Sequence, residues 1–172
     1  MGGPDPLVEA DDVDATWLTA ALADTLGAAR VVDFDAVPVG TGQVGHNVRF
    51  TLRYDRDVPG APRTVVGKFP SPDPTSRATG VAIGNYEKEA RFYRDLADTI
   101  DVRAPHCHAA LLDEPSRLAV LVLEDLAPAE QGDQIAGCSP EQAALAVAEA
   151  AAMHGPRWGD PTLSEVGWIS SP

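Results

Sequence analysis

The feature that most limits the fold is a glycine-rich segment, residues 40–45, which leads directly into an alternating stretch. From residue 47 to residue 54 apolar and polar side chains alternate, with Val48, Phe50, Leu52 and Tyr54 set against Asn47, Arg49, Thr51 and Arg53. That period of two is typical of a half-buried β-strand. In a dinucleotide-binding G-x-G-x-x-G segment the last glycine opens a helix instead. The sequence therefore predicts a glycine loop between two strands, and a dinucleotide-binding oxidoreductase is the weakest interpretation.

Composition and charge narrow the class of partner. The chain has 172 residues and a net charge of −13, which argues against nucleic acid or an anionic membrane surface as the main partner. Its longest apolar runs, such as Leu118–Leu123, are too short to cross a bilayer. The N-terminus lacks the regions of a signal peptide, and two cysteines, Cys107 and Cys138, do not make a disulfide framework. We therefore expect a cytoplasmic protein of one domain with the start of another.

Local patterns predict helices and strands in an α+β order. Residues 1–13 are expected to be a loose lead-in, after which Asp14 caps a helix that runs to Leu26 and ends at Gly27. Further helices are predicted over about 84–99 and 139–154, the latter beginning with Ser139, Pro140 and, at its third position, Gln142. Besides the alternating stretch, strands are predicted at 31–39, 64–69, 109–112 and 118–123. Residues 71–76 are predicted to be a loop, because prolines cannot donate to a ladder or sit inside a helix.

Two charged residues are candidates for a binding site. Lys68 lies in an apolar strand, where it is either an edge-strand lysine pointing at solvent or a cation for phosphates held by a carboxylate. On the helix that follows, Glu89 shares one face with Tyr86, Tyr93 and Leu96, whereas Glu87 lies opposite Arg91 at the helix surface. Glu89 either borders the buried stripe or pairs with Lys68, and the order of loop, lysine and helix favours the pairing.

Two other segments are less specific. Residues 124–126, Glu124-Asp125-Leu126, follow an apolar strand and suit a connector between two lobes, although they are also compatible with an ordinary strand end. His106, Cys107 and His108 do not predict zinc, because neighbouring strand residues point to opposite faces and no second ligand pair stands at the required spacing. No G-x-S-x-G signature for acyl transfer is present.

Taken together, these segments resemble the superfamily of aminoglycoside phosphotransferases and choline kinases, nearest its ecdysteroid-kinase-like branch. The similarity extends over most of residues 15–168. It rests on six segments: G-T-G-Q-V-G-H-N (40–47), V-G-K-F (66–69), Y-E-K-E-A-R-F-Y-R-D-L (86–96), L-E-D-L (123–126), G-D-Q-I-A-G-C (132–138) and M-H-G-P-R-W (153–158).

The resemblance implies a protein-kinase-like N-terminal lobe. It would consist of an antiparallel sheet of about five strands with a packed helix (14–123), a hinge (124–138) and the first helix of an incomplete larger lobe (139–172). The glycine loop (Gly40, Gly42 and Gly45) and Asn47 would lie near the phosphates of ATP. Lys68 would bind the α- and β-phosphates and Glu89 would position it, and the hinge residues Glu124 and Leu126 would bind the adenine. The complete enzyme would use Mg²⁺ as a cofactor and would transfer the γ-phosphate of ATP to the hydroxyl of a small-molecule alcohol.

One departure from the family pattern concerns catalysis. The family requires an H-G-D-x-x-x-x-N loop and a later metal-binding Asp, but here His154 and Gly155 are followed by Pro156, and Pro161 stands at the Asn position. The general base and metal ligands are therefore missing, and we expect this chain alone to be inactive. The alternative is a non-catalytic nucleotide- or partner-binding module. In either case the missing lobe or an oligomer partner is expected to cover an exposed apolar face.

Overall fold

A computed structural model describes residues 3–40, 44–130, 132–133 and 135–169. The chain divides into two compact units. The sheet unit comprises Met1–Ala90 and Pro105–Asp125, and the helical unit comprises Arg91–Ala104 and Leu126–Pro172. Residues 91–104 thus belong to the helical unit although they interrupt the sheet unit along the chain.

The sheet unit contains one antiparallel sheet of five strands, which confirms an α+β fold with a sheet of that size. The strands lie in the order β1-β2-β3-β5-β4. Each strand overlaps a sequence-predicted one, with ends that differ by at most two residues: β1 Val31–Pro38, β2 Gly45–Tyr54, β3 Thr64–Pro70, β4 Cys107–Asp113 and β5 Leu118–Glu124.

The alternation in β2 separates the two faces of the sheet as predicted. Val48, Phe50 and Leu52 are buried, and they join a core to which β3 and β5 contribute Val65, Phe69, Val120 and Val122. Gly67 lies on the same face, where a Cβ atom would stand 2.6 Å from the ring of Phe69 and 2.7 Å from that of Phe50. A glycine is therefore required there for the two rings to pack closely.

Two short helices, α1 (Ala15–Ala21) and α2 (Ala23–Leu26), cover this core. Asp14 caps α1 by accepting the Trp17 N–H at 2.7 Å, and Gly27 ends α2 at a φ of +57°, both as predicted. The prediction of a single helix was wrong, because Leu22 leaves helical geometry with φ −103° and ψ 13°. This local unwinding leaves Leu22 1% exposed and Leu26 4% exposed, so both side chains remain in the core.

The prediction of a loop over residues 71–76 is also wrong, because helix α3 (Pro74–Ala82) begins in its second half. Asp73 is the N-cap and accepts the Ser76 N–H at 2.8 Å. Pro74 occupies the first helical position, where an N–H would have no intrahelical partner and the fixed φ of proline suits the helix. Proline thus starts this helix rather than preventing it.

The helix predicted over about 84–99 changes its hydrogen-bonding pattern along its length. It begins as α4 (Asn85–Arg91), continues as a π-helix over Phe92–Leu96 and ends as a 3₁₀-helix over Ala97–Thr99. The first segment carries Glu89 and belongs to the sheet unit up to Ala90.

The helical unit is dominated by α5 (Pro140–His154). The predicted capping box is confirmed: the Ser139 hydroxyl accepts the Gln142 N–H at 3.2 Å, and the Gln142 side chain accepts the Ser139 N–H at 2.8 Å. Short 3₁₀-helices follow at Gly155–Arg157 and Pro161–Glu165. Across the described ranges, none of the helices combines the length and the hydrophobicity needed to span a membrane.

Candidate functional site

Strand register places three side chains next to one another on the face of the sheet opposite the α1 core. Asn47 of β2 is paired with Lys68 of β3, and Lys68 is paired with Leu121 of β5. Directly opposed residues of antiparallel strands share a face. Since Val65 and Phe69 point into the α1 core, Lys68 points away from it.

On this face, the ammonium of Lys68 contacts the carboxylate of Glu89. The Nζ atom donates to Oε1 at 2.6 Å, so β3 and α4 are joined by an ion pair between residues 21 positions apart in the chain. The two side chains are 36% and 33% exposed, which leaves both in contact with solvent. The pair is therefore better suited to holding the lysine in one orientation than to adding much stability.

The ion pair lies in a pocket of about 360 Å³. The pocket is lined by the end of the glycine-rich segment, by β3 and by α4: Val44, Gly45, Lys68, Asn85, Tyr86, Lys88 and Glu89. Among the charged lining groups there are two ammonium groups and one carboxylate, although the chain as a whole is strongly acidic. Such a lining suits an anionic ligand of small size.

Gly45 lies at the edge of this pocket. A Cβ on Gly45 would stand 3.6 Å from Cε of Lys68, so the lysine stem runs close beneath the start of β2. Gly40, at the other end of the loop, has a φ of +73°, a conformation that favours glycine. The predicted site residue Gly42 lies outside the described residues.

Tyr86 connects the glycine-rich segment to α4, a link that the sequence analysis did not identify. Its hydroxyl donates to the Val44 carbonyl and accepts the Ser71 N–H at 3.2 Å. Its ring packs on Gly80 of α3, where a Cβ would stand 2.7 Å from ring atoms. The Ser71 carbonyl in turn accepts from Arg77, at 2.7 Å. One tyrosine therefore holds the end of the loop, the end of β3 and α3 against the helix that carries Glu89.

Asn47 has an orphaned side-chain atom. Its Oδ1 is buried, and among the described residues it has no hydrogen-bond partner. Buried polar atoms are nearly always paired, so an unpaired one calls for an explanation. The position of Asn47 beside Lys68 makes a ligand donor one such explanation.

The three hinge residues are placed differently from the pocket residues. Glu124 ends β5, where its carboxylate accepts the His106 N–H at 3.1 Å. Leu126 is 43% exposed and belongs to the helical unit. Of the predicted site residues, Gly45, Lys68 and Glu89 lie together in this pocket, whereas Glu124, in the same unit, does not line it.

Between these hinge residues lies an ion pair that the sequence analysis missed. Asp125 is 4% exposed and accepts two hydrogen bonds from Arg49 of β2, at 2.7 and 2.9 Å. This carboxylate contact raises the pKa of the Arg49 guanidinium above its usual range. The two residues are 76 positions apart, so no local pattern could reveal the pair, although both lie in segments that the analysis singled out.

The histidines and the cysteine at the start of β4 do not form a recognisable metal centre. Within the described part of the chain no group of three or more His, Cys, Asp or Glu side chains is arranged to hold a metal ion. The rings of His106 and His108 stack edge to face, with centroids 4.7 Å apart. Burial, and then the neighbouring His106, lowers the pKa of His108.

Comparisons with known proteins add no relative, because no family model, no curated protein and no solved structure matched the chain. Fold and site therefore define the class by themselves. The chain is an α+β protein with a five-stranded antiparallel sheet and a lysine–glutamate pair beside a glycine-rich loop.

Proposed function

We propose that this chain binds ATP and is the nucleotide-binding part of a kinase that phosphorylates the hydroxyl of a small molecule. The observation that carries this proposal is the ion pair between Lys68 and Glu89 in a pocket beside Gly45. In kinase-like folds a strand lysine held by a helix glutamate binds the α- and β-phosphates under a glycine-rich loop. The kinase-like architecture belongs to the proposal as well.

Each residue has a defined role in this proposal. Lys68 supplies the cation for the phosphates, and Glu89 fixes its orientation. Gly40, Gly42 and Gly45 let the loop backbone approach the phosphates without a side chain in the way. Asn47, paired with Lys68 across the sheet, would lie near the phosphates, and Glu124 and Leu126 would carry the adenine site.

The residues support nucleotide binding better than phosphoryl transfer. Within the described part of the chain no group of three His, Cys, Asp or Glu side chains is arranged to hold a metal ion, so Mg²⁺ would have to be held mainly by the phosphates of the nucleotide, and no residue is assigned to it. In the catalytic-loop segment, Pro156 and Pro161 stand where a carboxylate base and an amide would be needed. We therefore assign no chemical step to this chain and expect it to bind nucleotide without turnover.

The test is calorimetric titration of the 172-residue chain with ATP and ADP, compared with its Lys68→Met variant. A hydrogen bond to a charged group contributes about 1.5–3 kcal/mol, so the variant is expected to bind ATP about ten- to a hundredfold more weakly. Glu89→Gln keeps the lysine but removes its partner, and a smaller loss is expected. Circular dichroism establishes that each variant is folded. A folded wild-type chain that binds no nucleotide, or a Lys68→Met variant with unchanged affinity, contradicts the proposal.

One observation favours a second candidate, a non-catalytic module that binds a partner. Helix α5 has no buried residue, and its Leu145 and Val147 are 70% and 69% exposed. Exposed apolar surface of this kind often marks an interaction site. Size-exclusion chromatography with light scattering, combined with the ATP titration, distinguishes the two candidates. A folded oligomer of defined size that does not bind ATP favours the module, whereas a monomer that binds ATP favours the first proposal.

A further inference from the structure

Tyr86 lies where the ladder between β2 and β3 ends. Gly45 and Pro70 form the last pair of that ladder. The next pair in the same register would be Val44 and Ser71. The Tyr86 hydroxyl donates to the Val44 carbonyl and accepts the Ser71 N–H at 3.2 Å. The hydroxyl therefore bridges the two strands one position beyond their last pair, and it holds the backbone next to Gly45.

The same tyrosine belongs to the helix that holds Lys68. Tyr86 and Glu89 are three positions apart in α4, so the two side chains are neighbours on one face of that helix. Glu89 accepts from the ammonium of Lys68, whereas Tyr86 is bonded to the carbonyl at the end of the glycine-rich segment. All of these groups line the same pocket. One turn of α4 thus sets the position of the lysine relative to that backbone.

The bonds of Tyr86 are shielded from water, and its ring has little room to move. Tyr86 and Ser71 are each 7% exposed, so water cannot readily replace the hydroxyl as the partner of the Ser71 N–H. A Cβ on Gly80 of α3 would stand 2.7 Å from the ring carbon that bears the hydroxyl and 2.8 Å from the hydroxyl oxygen itself. The absence of a side chain at Gly80 therefore leaves the space that the hydroxyl end of the ring occupies.

We propose that Tyr86 is a positioning residue for the phosphates of the bound nucleotide. Its hydroxyl holds the end of the glycine-rich segment in a fixed place relative to the ion pair of Lys68 and Glu89. This inference rests on the proposed function. Position matters because hydrogen bonds weaken steeply when their geometry departs from the optimum. Gly80, which does not line the pocket, becomes a second determinant of nucleotide affinity through the ring of Tyr86.

The first test compares two tyrosine hydroxyls of the sheet unit. Tyr86→Phe is expected to weaken ATP binding about tenfold in calorimetric titrations of the full chain. The Tyr54 hydroxyl also donates to a backbone carbonyl, that of Pro62 at 2.5 Å, but Tyr54 does not line the pocket. Tyr54→Phe is therefore the matched control. Both variants are expected to lower the Tm by about 2–4 °C, and only Tyr86→Phe is expected to lose ATP affinity.

The second test keeps the tyrosine and displaces it. Alanine is normally favoured over glycine inside a helix, so Gly80→Ala suits α3 itself, but the new Cβ would push the hydroxyl end of the Tyr86 ring aside. A loss of ATP affinity smaller than that of Tyr86→Phe is expected. Thr79→Ala changes the adjacent, exposed residue of α3 and is expected to leave ATP affinity unchanged. Gly80→Ala also carries the test if circular dichroism shows that Tyr86→Phe does not fold.

A double-mutant cycle shows whether the hydroxyl acts through the ion pair. Glu89→Gln removes the carboxylate that orients Lys68. Because Tyr86 sets the position of that carboxylate, Tyr86→Phe is expected to reduce ATP affinity by a smaller factor in the Glu89→Gln background than in the wild type. A hydroxyl that only stabilises the fold would give the same factor in both backgrounds.

The outcomes separate this inference from the proposed function. A folded wild-type chain that binds no ATP overturns both. ATP binding that is weakened by Lys68→Met but unchanged by Tyr86→Phe and Gly80→Ala overturns the role of Tyr86 and leaves the proposed function intact. Equal losses of affinity in Tyr86→Phe and Tyr54→Phe, or independent losses in the cycle, also overturn that role. A loss in Tyr86→Phe alone of the two, with coupling to Glu89→Gln, supports it.

Discussion

Each of the two units of this chain is stabilised internally by a different kind of contact. In the sheet unit Leu18, Phe50 and Phe69 are almost fully buried in one apolar core. In the helical unit, by contrast, α5 has no buried residue. Two hydrogen bonds join α5 to the segment before β4: the Asp101 N–H donates to the Ala152 carbonyl at 3.1 Å, and the Arg103 N–H donates to the Glu149 carboxylate at 2.9 Å.

This difference bears on where a precise binding site can be built. Apolar burial is the main favourable term in folding, and a packed core restrains the side chains around it. The pocket with Lys68 and Glu89 is built on strands and a helix of the sheet unit. Helix α5, by contrast, depends on its alanine content and its capping box. The sheet unit therefore supplies the rigid site, and the helical unit supplies exposed surface.

The largest expected effect comes from truncating one leucine in each unit. Leu18→Ala removes a side chain that is 0% exposed, and a loss of about 2–5 kcal/mol in the free energy of unfolding is expected. Leu145→Ala removes one that is 70% exposed, and a change within about 0.5 kcal/mol is expected. Urea denaturation of both variants measures the difference. Equal losses would break the comparison, because Leu145 would then be buried against something in solution.

A pair of glycines sharpens the comparison at a finer scale. Gly67→Ala places a Cβ 2.6 Å from the Phe69 ring, and overpacking of this kind costs about 1–3 kcal/mol. Gly155→Ala is the matched control in the helical unit, since its Cβ would meet nothing within 4 Å and its φ of −58° suits any residue. Thermal unfolding is expected to show a lower Tm for Gly67→Ala alone. A tolerated Gly67→Ala would mean that the two rings can move apart, contrary to a tightly packed core.

The parts of this structure that could be predicted are those governed by near neighbours in the chain. Alternation from residue 47 to residue 54 predicted β2, and a capping side chain predicted the starts of α1 and α5. Helix α3 was missed because Pro74 was taken as a helix breaker, although at the first position of a helix it is favourable.

The candidate site was predicted only in part, for the same reason. Helical spacing was enough to select Glu89 rather than Glu87 as the partner of Lys68, because the choice depended on which face of one helix is buried. The bonds from Tyr86 to Val44 and from Arg49 to Asp125 join residues 42 and 76 positions apart. Contacts of that kind follow from the register of the sheet and the placement of α4, which no short sequence pattern specifies.

The smallest expected effect is a pH dependence that resides in the sheet unit. Burial and the nearby His106 lower the pKa of His108 in the folded chain from its ordinary value of 6.5, so the unfolded chain binds the proton more readily. The contribution of His108 to the free energy of unfolding is therefore fully present above about pH 6.5, and it is lost as the pH falls from that value towards the lower pKa of the folded chain. Urea titrations at pH 7.5 and pH 5.5 are expected to show a smaller loss in His108→Gln than in the wild type. His154→Gln removes an exposed histidine of the helical unit as the control. If His108→Gln loses as much stability as the wild type, the acid sensitivity has another origin, and the carboxylates that accept hydrogen bonds become the groups to examine.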